Sequence, residues 1–389
     1  MNNYFEFDER VKICCGEGAL ENLGYELEFR GSKNPLLLSD EGLEKVGTID
    51  FLIKKCKGVK FKTKFTKIPP DSSTTTINQI ARLYKNNGCD AIVALGGGSV
   101  IDTAKGVRLL LSQECANILD LSGNECVKKG KYVPFIVIPT TCGTGSECTA
   151  VAVIRDAKTK TKLEFITSEL LPDVALLDAR LIYSLPPKLM ATTALDALTH
   201  AIEAYSSLQK NPISDAYATL AVKLISQNLI DALNRDNIAK NKLLLASNVA
   251  GAAFSNAMVG LVHAIGHALG AVMGIPHGNA MAILLPACLK FNNDVNHVEY
   301  SKLLLYFTNE DTFAYTKPNE RAKLFIEKVS EFIGEVREKT GLNLKLSEYG
   351  VTEKDLPKIA EKAINDGAAI VNNKPFTADD VIEILKEVF

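Results

Sequence analysis

The chain has 389 residues, longer than the ~250 to 300 at which a single core stops growing, so two or three domains are expected. Hydrophobic residues at 47% and charged residues at 23% are the balance of a globular protein, which excludes disorder for the bulk of the chain. The 44 Lys and Arg against 46 Asp and Glu leave a net charge of −2, no field with which to hold nucleic acid or an anionic membrane.

Nine cysteines, Cys14, Cys15, Cys56, Cys89, Cys115, Cys126, Cys142, Cys148 and Cys288, contain no CxxC spacing and point to a reducing, cytoplasmic compartment. The opening stretch Met1 to Arg10 is polar and acidic, unlike a secretory leader. Between Lys242 and Lys290 there is no Asp, Glu, Lys or Arg, a length that could span a bilayer. His263, His267 and the turn around His277 interrupt it, and imidazoles in hydrocarbon are costly, so a buried helical core is expected instead.

In chain order, short apolar runs at Pro35 to Ser39, Asp90 to Leu95 and Phe135 to Pro139 alternate with helical segments between Asn34 and Asp178. Runs that are apolar throughout fit strands buried on both faces, so this half reads as an α/β unit with a parallel sheet. The lysine-rich Lys54 to Lys67 reads as a solvated surface. After Ser184-Leu185-Pro186-Pro187 the character changes, and Ala191 to Leu208 and Asp215 to Leu233 carry apolar residues at helical spacing. The boundary falls at Leu185, giving an α/β domain over 1–185 and an all-helical domain over 186–389.

Two loops suit a dinucleotide. Cys89 to Leu95 runs through Gly96-Gly97-Gly98-Ser99 into a helix, where glycines let the backbone approach an anion and the helix amides donate to it. Ser99 is placed to cap that helix. Triple glycine is not the GxGxxG fingerprint, and a structural tight turn would look the same. The second loop, Pro139-Thr140-Thr141-Cys142-Gly143-Thr144-Gly145-Ser146, joins another strand to a turn rich in hydroxyls. Asp40 directly follows the first apolar run. There it could accept ribose hydroxyls and repel the extra phosphate of NADP, favouring NAD, or it could simply cap the next helix.

All five histidines lie in the helical half, and four of them, His200, His263, His267 and His277, fall in two compact motifs. Asp196 and His200 share one helix face, as do His263 and His267, and Gly274-Ile275-Pro276-His277-Gly278 presents another imidazole in a turn. Such nitrogen and oxygen donors suit iron(II), zinc, manganese or cobalt. Any single one of these histidines could be an ordinary core residue; the set together reads as a metal site.

These motifs, Gly96 to Lys105, Pro139 to Glu147, Asp196 to Tyr205 and His263 to Pro286, resemble those of the iron-containing (type III) alcohol dehydrogenase family, which includes lactaldehyde reductase and 1,3-propanediol dehydrogenase. The resemblance covers nearly the whole chain. It implies a dinucleotide-binding α/β domain and an all-α metal-binding domain, the dehydroquinate synthase-like fold, with the active site in the cleft between them. It implies Asp196, His200, His263 and His277 as ligands of Fe2+, with Zn2+ the other option, and places His267 off the metal as the proton-handling residue. It also implies NAD(H) contacts at Asp40, Gly97, Gly98, Ser99, Thr140, Thr141, Thr144 and Lys162, and at Asp71 and Leu181. Relatives are commonly dimers or larger, so a homo-oligomer is expected.

Val151 departs from the Asn or His of several members. With Phe254 and Val259 it suggests an apolar pocket for a small primary alcohol or aldehyde. Three alternatives stand beside that reading: a polyol dehydrogenase of the glycerol or 1,3-propanediol type, a dehydroquinate synthase-like lyase, and a non-catalytic NAD-binding or scaffold protein, which would not need Asp196 and all four histidines together. The lyase would need many Lys and Arg around its substrate, whereas the histidine motifs here are embedded in apolar residues.

Overall fold

The computed structural model describes residues 4–123, 127–159 and 161–389; Cys126 lies outside the described residues. The chain divides into two compact units, Asp8–Ser184 and Leu185–Phe389, the latter joined by the segment ending at Phe7.

The first unit carries strands β1 (Lys12–Cys15), β2 (Pro35–Leu38), β3 (Thr63–Phe65), β4 (Ala91–Gly96), β5 (Phe135–Pro139), β6 (Val151–Arg155), β7 (Lys162–Ile166) and β8 (Val174–Leu177). Six of them form one parallel sheet in the order β1-β8-β5-β4-β2-β3. The other two, β6 and β7, pair as an antiparallel hairpin. Helices α1 (Leu23–Phe29), α2 (Glu41–Lys45), α3 (Thr48–Lys55), α4 (Thr74–Asn86) and α5 (Gly98–Ser112) alternate with the strands.

Strand side chains point alternately to the two faces, and both faces are covered. Leu37, Val93, Leu95, Ile136 and Ile138 pack with Leu23, Leu27, Ile49 and Leu52 of α1 and α3. Leu36, Leu38, Ile92, Ala94 and Val137 pack with Ile77 and Ile80 of α4 and Val100, Ala104 and Val107 of α5. That double cover explains why the central strands are apolar without alternation.

The sheet extends beyond the stretch expected from the sequence. β1 precedes Asn34, and β3 lies inside Lys54 to Lys67, so that segment is not only solvated surface. Both are edge strands, exposed or half-exposed along much of their length, and their mixed composition hides them.

From β2 the chain moves outward to β3, and from β4 it moves the opposite way to β5 and β8. The connections therefore diverge between β2 and β4. In an open parallel sheet, ligands bind outside the strand carboxyl ends at such a point, which is where Asp40 and Gly96–Ser99 lie.

The second unit has no described strand and consists of α6 (Pro187–Ser206), α7 (Pro212–Leu233), α8 (Asn237–Ala257), α9 (Leu261–Met273), α10 (His277–Phe307), α11 (Glu310–Tyr315), α12 (Arg321–Thr340), α13 (Leu356–Ile364) and α14 (Ala378–Glu387). The uncharged stretch seen in the sequence is α8 after Lys242, α9 and the start of α10, largely buried among the other helices. Among the described residues no single helix is long and apolar enough to cross a membrane, and α8 and α9 meet at a bend of 101°.

Candidate active site

In the first unit the loops after β4 and β5 are built against each other. Thr140 N donates to Gly96 O at 3.1 Å, and a Cβ on Gly98 would lie 2.9 Å from Thr144 Cγ2. A side chain at that position would push the loops apart. Gly97 is the cap residue of α5 and supplies no side-chain cap. Ser99 therefore sits inside the first turn instead of capping it, and its Oγ accepts from Asp71 N at 3.4 Å.

Asp71 holds a left-handed φ of 76° and lies 3.7 Å from Lys162 Nζ, so these two sequence-predicted residues meet. Asp40 caps α2, its Oδ1 accepting from Leu43 N at 2.9 Å. Thr144 Oγ1 accepts from Ser146 N at 3.2 Å. Thr140 is buried and Thr141 half-buried, while Leu181 packs into the core beneath the sheet.

The sequence reading passed over two residues of the first motif. Asp102 accepts from Ser146 Oγ at 2.6 Å and from Val153 N at 3.0 Å. Lys105, fully buried, donates to Thr149 O at 2.8 Å and to Val151 O at 2.7 Å. They lie three apart on α5, so one helix face ties the second loop and the β6–β7 hairpin to the first loop. Burial pushes the Lys105 ammonium down to about 8, against the nearby Asp102. Cys142 and Cys148 are buried.

In the second unit, α6 carries Asp196 and His200, α9 carries His263, and α10 opens on His277 directly after Pro276. A Cβ on Gly278 would fall 2.6 Å from Thr192 O of α6, so only glycine lets α10 start this close to Asp196. The three imidazole Nε2 atoms lie 3.7 Å (His200), 3.7 Å (His263) and 3.3 Å (His277) from Asp196 Oδ1. One ligand atom from each of the four residues lies within 4.8 Å of every other.

Asp196 Oδ1 and His263 Nε2 are buried without a hydrogen-bond partner. Leaving such atoms unpaired is costly, and a shared cation satisfies both. Burial would raise the Asp196 carboxyl, but His200 and His277 beside it hold it well below the usual range. Burial likewise opposes a charged His263, yet Asp196 and Glu203 carry its imidazole up to about 9. Both directions describe a cluster that favours positive charge. The donors, three nitrogens and one carboxylate oxygen, fit a divalent transition metal.

His267 stands outside this cluster, although spacing alone paired it with His263. Its ring stacks on His277 at 5.5 Å between centroids, and its Nδ1 lies 3.0 Å from Asp366 Oδ2. Phe254 stacks on His200 at 4.2 Å. Val259 is half-buried in the turn between α8 and α9, and Val151 is half-buried at the start of β6. Glu203, one further turn along α6 from His200, lies with Oε2 2.5 Å from His263 Nδ1. Neither Asp366 nor Glu203 was singled out from the sequence.

A parallel sheet with two packed glycine-rich loops at its strand ends and a helical unit with a four-donor cluster are the parts expected of a metal- and nucleotide-dependent enzyme. The iron-containing alcohol dehydrogenase model matches residues 11–179, and the C-terminal model of the Fe-containing alcohol dehydrogenase family matches residues 190–389. The chain belongs to the iron-containing alcohol dehydrogenase family, and the expected oxidoreductase class is thereby met.

It is similar to the NAD-dependent methanol dehydrogenase of Bacillus methanolicus, 33% identical over 99% of both chains. It is also similar to the NADPH-dependent butanol dehydrogenase of Clostridium saccharobutylicum, 32% identical over 97% of this chain and 96% of that protein. Among solved structures, a 1,3-propanediol oxidoreductase superposes with a TM-score of 0.92 at 31% identity, covering 100% of both chains.

Proposed function

We propose that the protein is an iron-using, NAD(H)-dependent dehydrogenase that interconverts a short primary alcohol and its aldehyde. The observation that carries this reading is the convergence of Asp196, His200, His263 and His277 on ligand atoms that include two buried and unpartnered ones. A divalent iron bound there supplies the Lewis acidity that makes an alcohol ionisable near neutral pH and polarises an aldehyde carbonyl.

The chain's own residues do the rest. Asp196, beside three imidazoles, would hold a dication at reduced net charge. Asp366 fixes the His267 ring through Nδ1, leaving Nε2 as the atom that gives or takes the substrate proton. The amides opening α5, with Gly97, Gly98 and Ser99, hold the pyrophosphate, and Thr140, Thr141 and Thr144 close over it from the second loop. The second Asp40 oxygen accepts the ribose hydroxyls and disfavours NADP. Asp71, Lys162 and Leu181 complete the cofactor contacts, and Val151, Phe254 and Val259 are the apolar side chains assigned to the substrate.

A cytoplasmic location is supported by the eight described cysteines, none of which is joined in a disulfide. A homo-oligomer is supported by Ile13 on the exposed edge strand and by Tyr25 and Phe29 on α1, all exposed.

The test is a substrate panel. Straight-chain aldehydes should show the higher kcat/KM with NADH. A preference for diols such as 1,3-propanediol would move the assignment to the polyol branch, a reading favoured by the structural match to 1,3-propanediol oxidoreductase.

A further inference from the structure

We infer that Glu203 is a positioning residue that sets the tautomer of His263 and so decides whether that imidazole can bind a metal; the inference rests on the metal reading above. Glu203 is buried on α6, 6% exposed, and its two oxygens have separate tasks. Oε1 accepts from Val262 N at 2.6 Å in the first turn of α9. Oε2 lies 2.5 Å from His263 Nδ1.

A carboxylate has only acceptor atoms, so His263 Nδ1 must carry the proton in this contact. Nε2 is then the nitrogen left to give up its proton and offer a lone pair to a metal, and it is the nitrogen 3.7 Å from Asp196 Oδ1. A carboxylate behind a histidine in this way orients the ring and raises its basicity toward a metal. One residue of α6 thus sets both the seat of α9 and the electronics of the donor that α9 delivers. The cap at the preceding amide comes from a different source, since Leu261 N donates to Asn372 Oδ1 at 3.2 Å. Capping and tautomer control are therefore separable.

Glu203→Gln separates them. The amide oxygen can still accept from Val262 N, but the NH2 group then faces His263 Nδ1 and demands a lone pair there. That moves the ring proton to Nε2, which cannot then donate to a metal. Asn372→Ala removes a cap from the same helix turn and leaves the tautomer alone.

The experiment titrates metal-stripped protein with Co2+, reading the dissociation constant and the visible absorption bands, and follows NADH binding and melting temperature. Glu203→Gln should weaken Co2+ binding by about 10- to 100-fold, shift the bands and bind NADH as the unaltered chain does. Asn372→Ala should melt lower, with a Co2+ affinity within about twofold of the unaltered chain's, as expected when only a cap is lost. Should Glu203→Gln not fold, the zinc-loaded unaltered protein labelled with 15N-histidine must still show a His263 Nδ1–H resonance.

Unchanged affinity and bands in Glu203→Gln, or no such resonance, would overturn the Glu203 inference alone. If the unaltered chain does not bind Co2+, or Asp196→Ala binds it equally well, the metal reading and this inference fall together.

Discussion

Asp40 shows how one side chain can serve two readings of a sequence at once. As a residue after a buried strand it was equally a helix cap and a ribose ligand, and the structure shows the cap made by Oδ1. The other oxygen is left for the nucleotide in the proposed function. Asn is as good a cap as Asp, so Asp40→Asn keeps α2 and removes only the charge. The expected result is a rise of about tenfold in the kcat/KM ratio of NADPH to NADH, ~1.4 kcal/mol, with the melting point unchanged. An unaltered ratio would make Asp40 a cap and nothing more.

At the proposed metal cluster, His263→Ala should abolish metal-dependent turnover while NADH still binds, checked by fluorescence titration and bound-metal analysis. A metal-free variant of full activity would contradict the assignment. Glu203 and Asp366 escaped the sequence reading for a physical reason. They act on His263 and His267 across 60 and 99 residues of chain, and no local spacing encodes that contact.

At the scale of elements, what the sequence showed depended on burial. β2, β4 and β5 are buried at every position, so they read as unbroken apolar runs. The edge strands and the half-buried β6–β7 hairpin have no such signature. The helix of the first glycine motif was legible, but the inward tasks of Asp102 and Lys105 were not, because their partners lie in a loop and hairpin that only the fold brings near.

The end of β8 illustrates the stability of this unit. Asp178 is fully buried, accepts from Gly18 N and Leu20 N, and pairs with Arg180 at 2.6 Å. Burial opposes its charge, but Arg180 and these amides hold its carboxyl below the ordinary range. A depressed folded-state value contributes stability that is present above the unfolded-state value and is lost as pH falls through the folded one. Denaturant midpoints should therefore decline below about pH 4. Asp178→Asn should cost about 1.5–3 kcal/mol at neutral pH by removing a charged hydrogen-bond partner of Arg180, which keeps Glu21 at 2.9 Å, and its midpoint should vary less with acid. An acid profile identical to that of the unaltered chain would show that Asp178 is not the group responsible.

For the whole molecule, the two-part architecture was legible because composition changes sharply at Leu185, from strands punctuated by glycine loops to long helices. Four ordered motifs then carried the family. A metal that binds only the folded cluster must stabilise it by mass action, about 2.7 kcal/mol at one hundred times the dissociation constant. Calorimetry should show a metal-dependent rise in the melting temperature that Asp196→Ala abolishes.

The most direct measurement is reconstitution: strip the protein under anaerobic conditions, add back Fe2+ or Zn2+ separately, and follow NADH consumption with short aldehydes. The account predicts that the stripped protein is inactive and that Fe2+ restores turnover, while Asp196→Ala and His263→Ala stay inactive at every metal concentration. Full aldehyde reduction by the stripped protein, or equal restoration of those two variants, would contradict it.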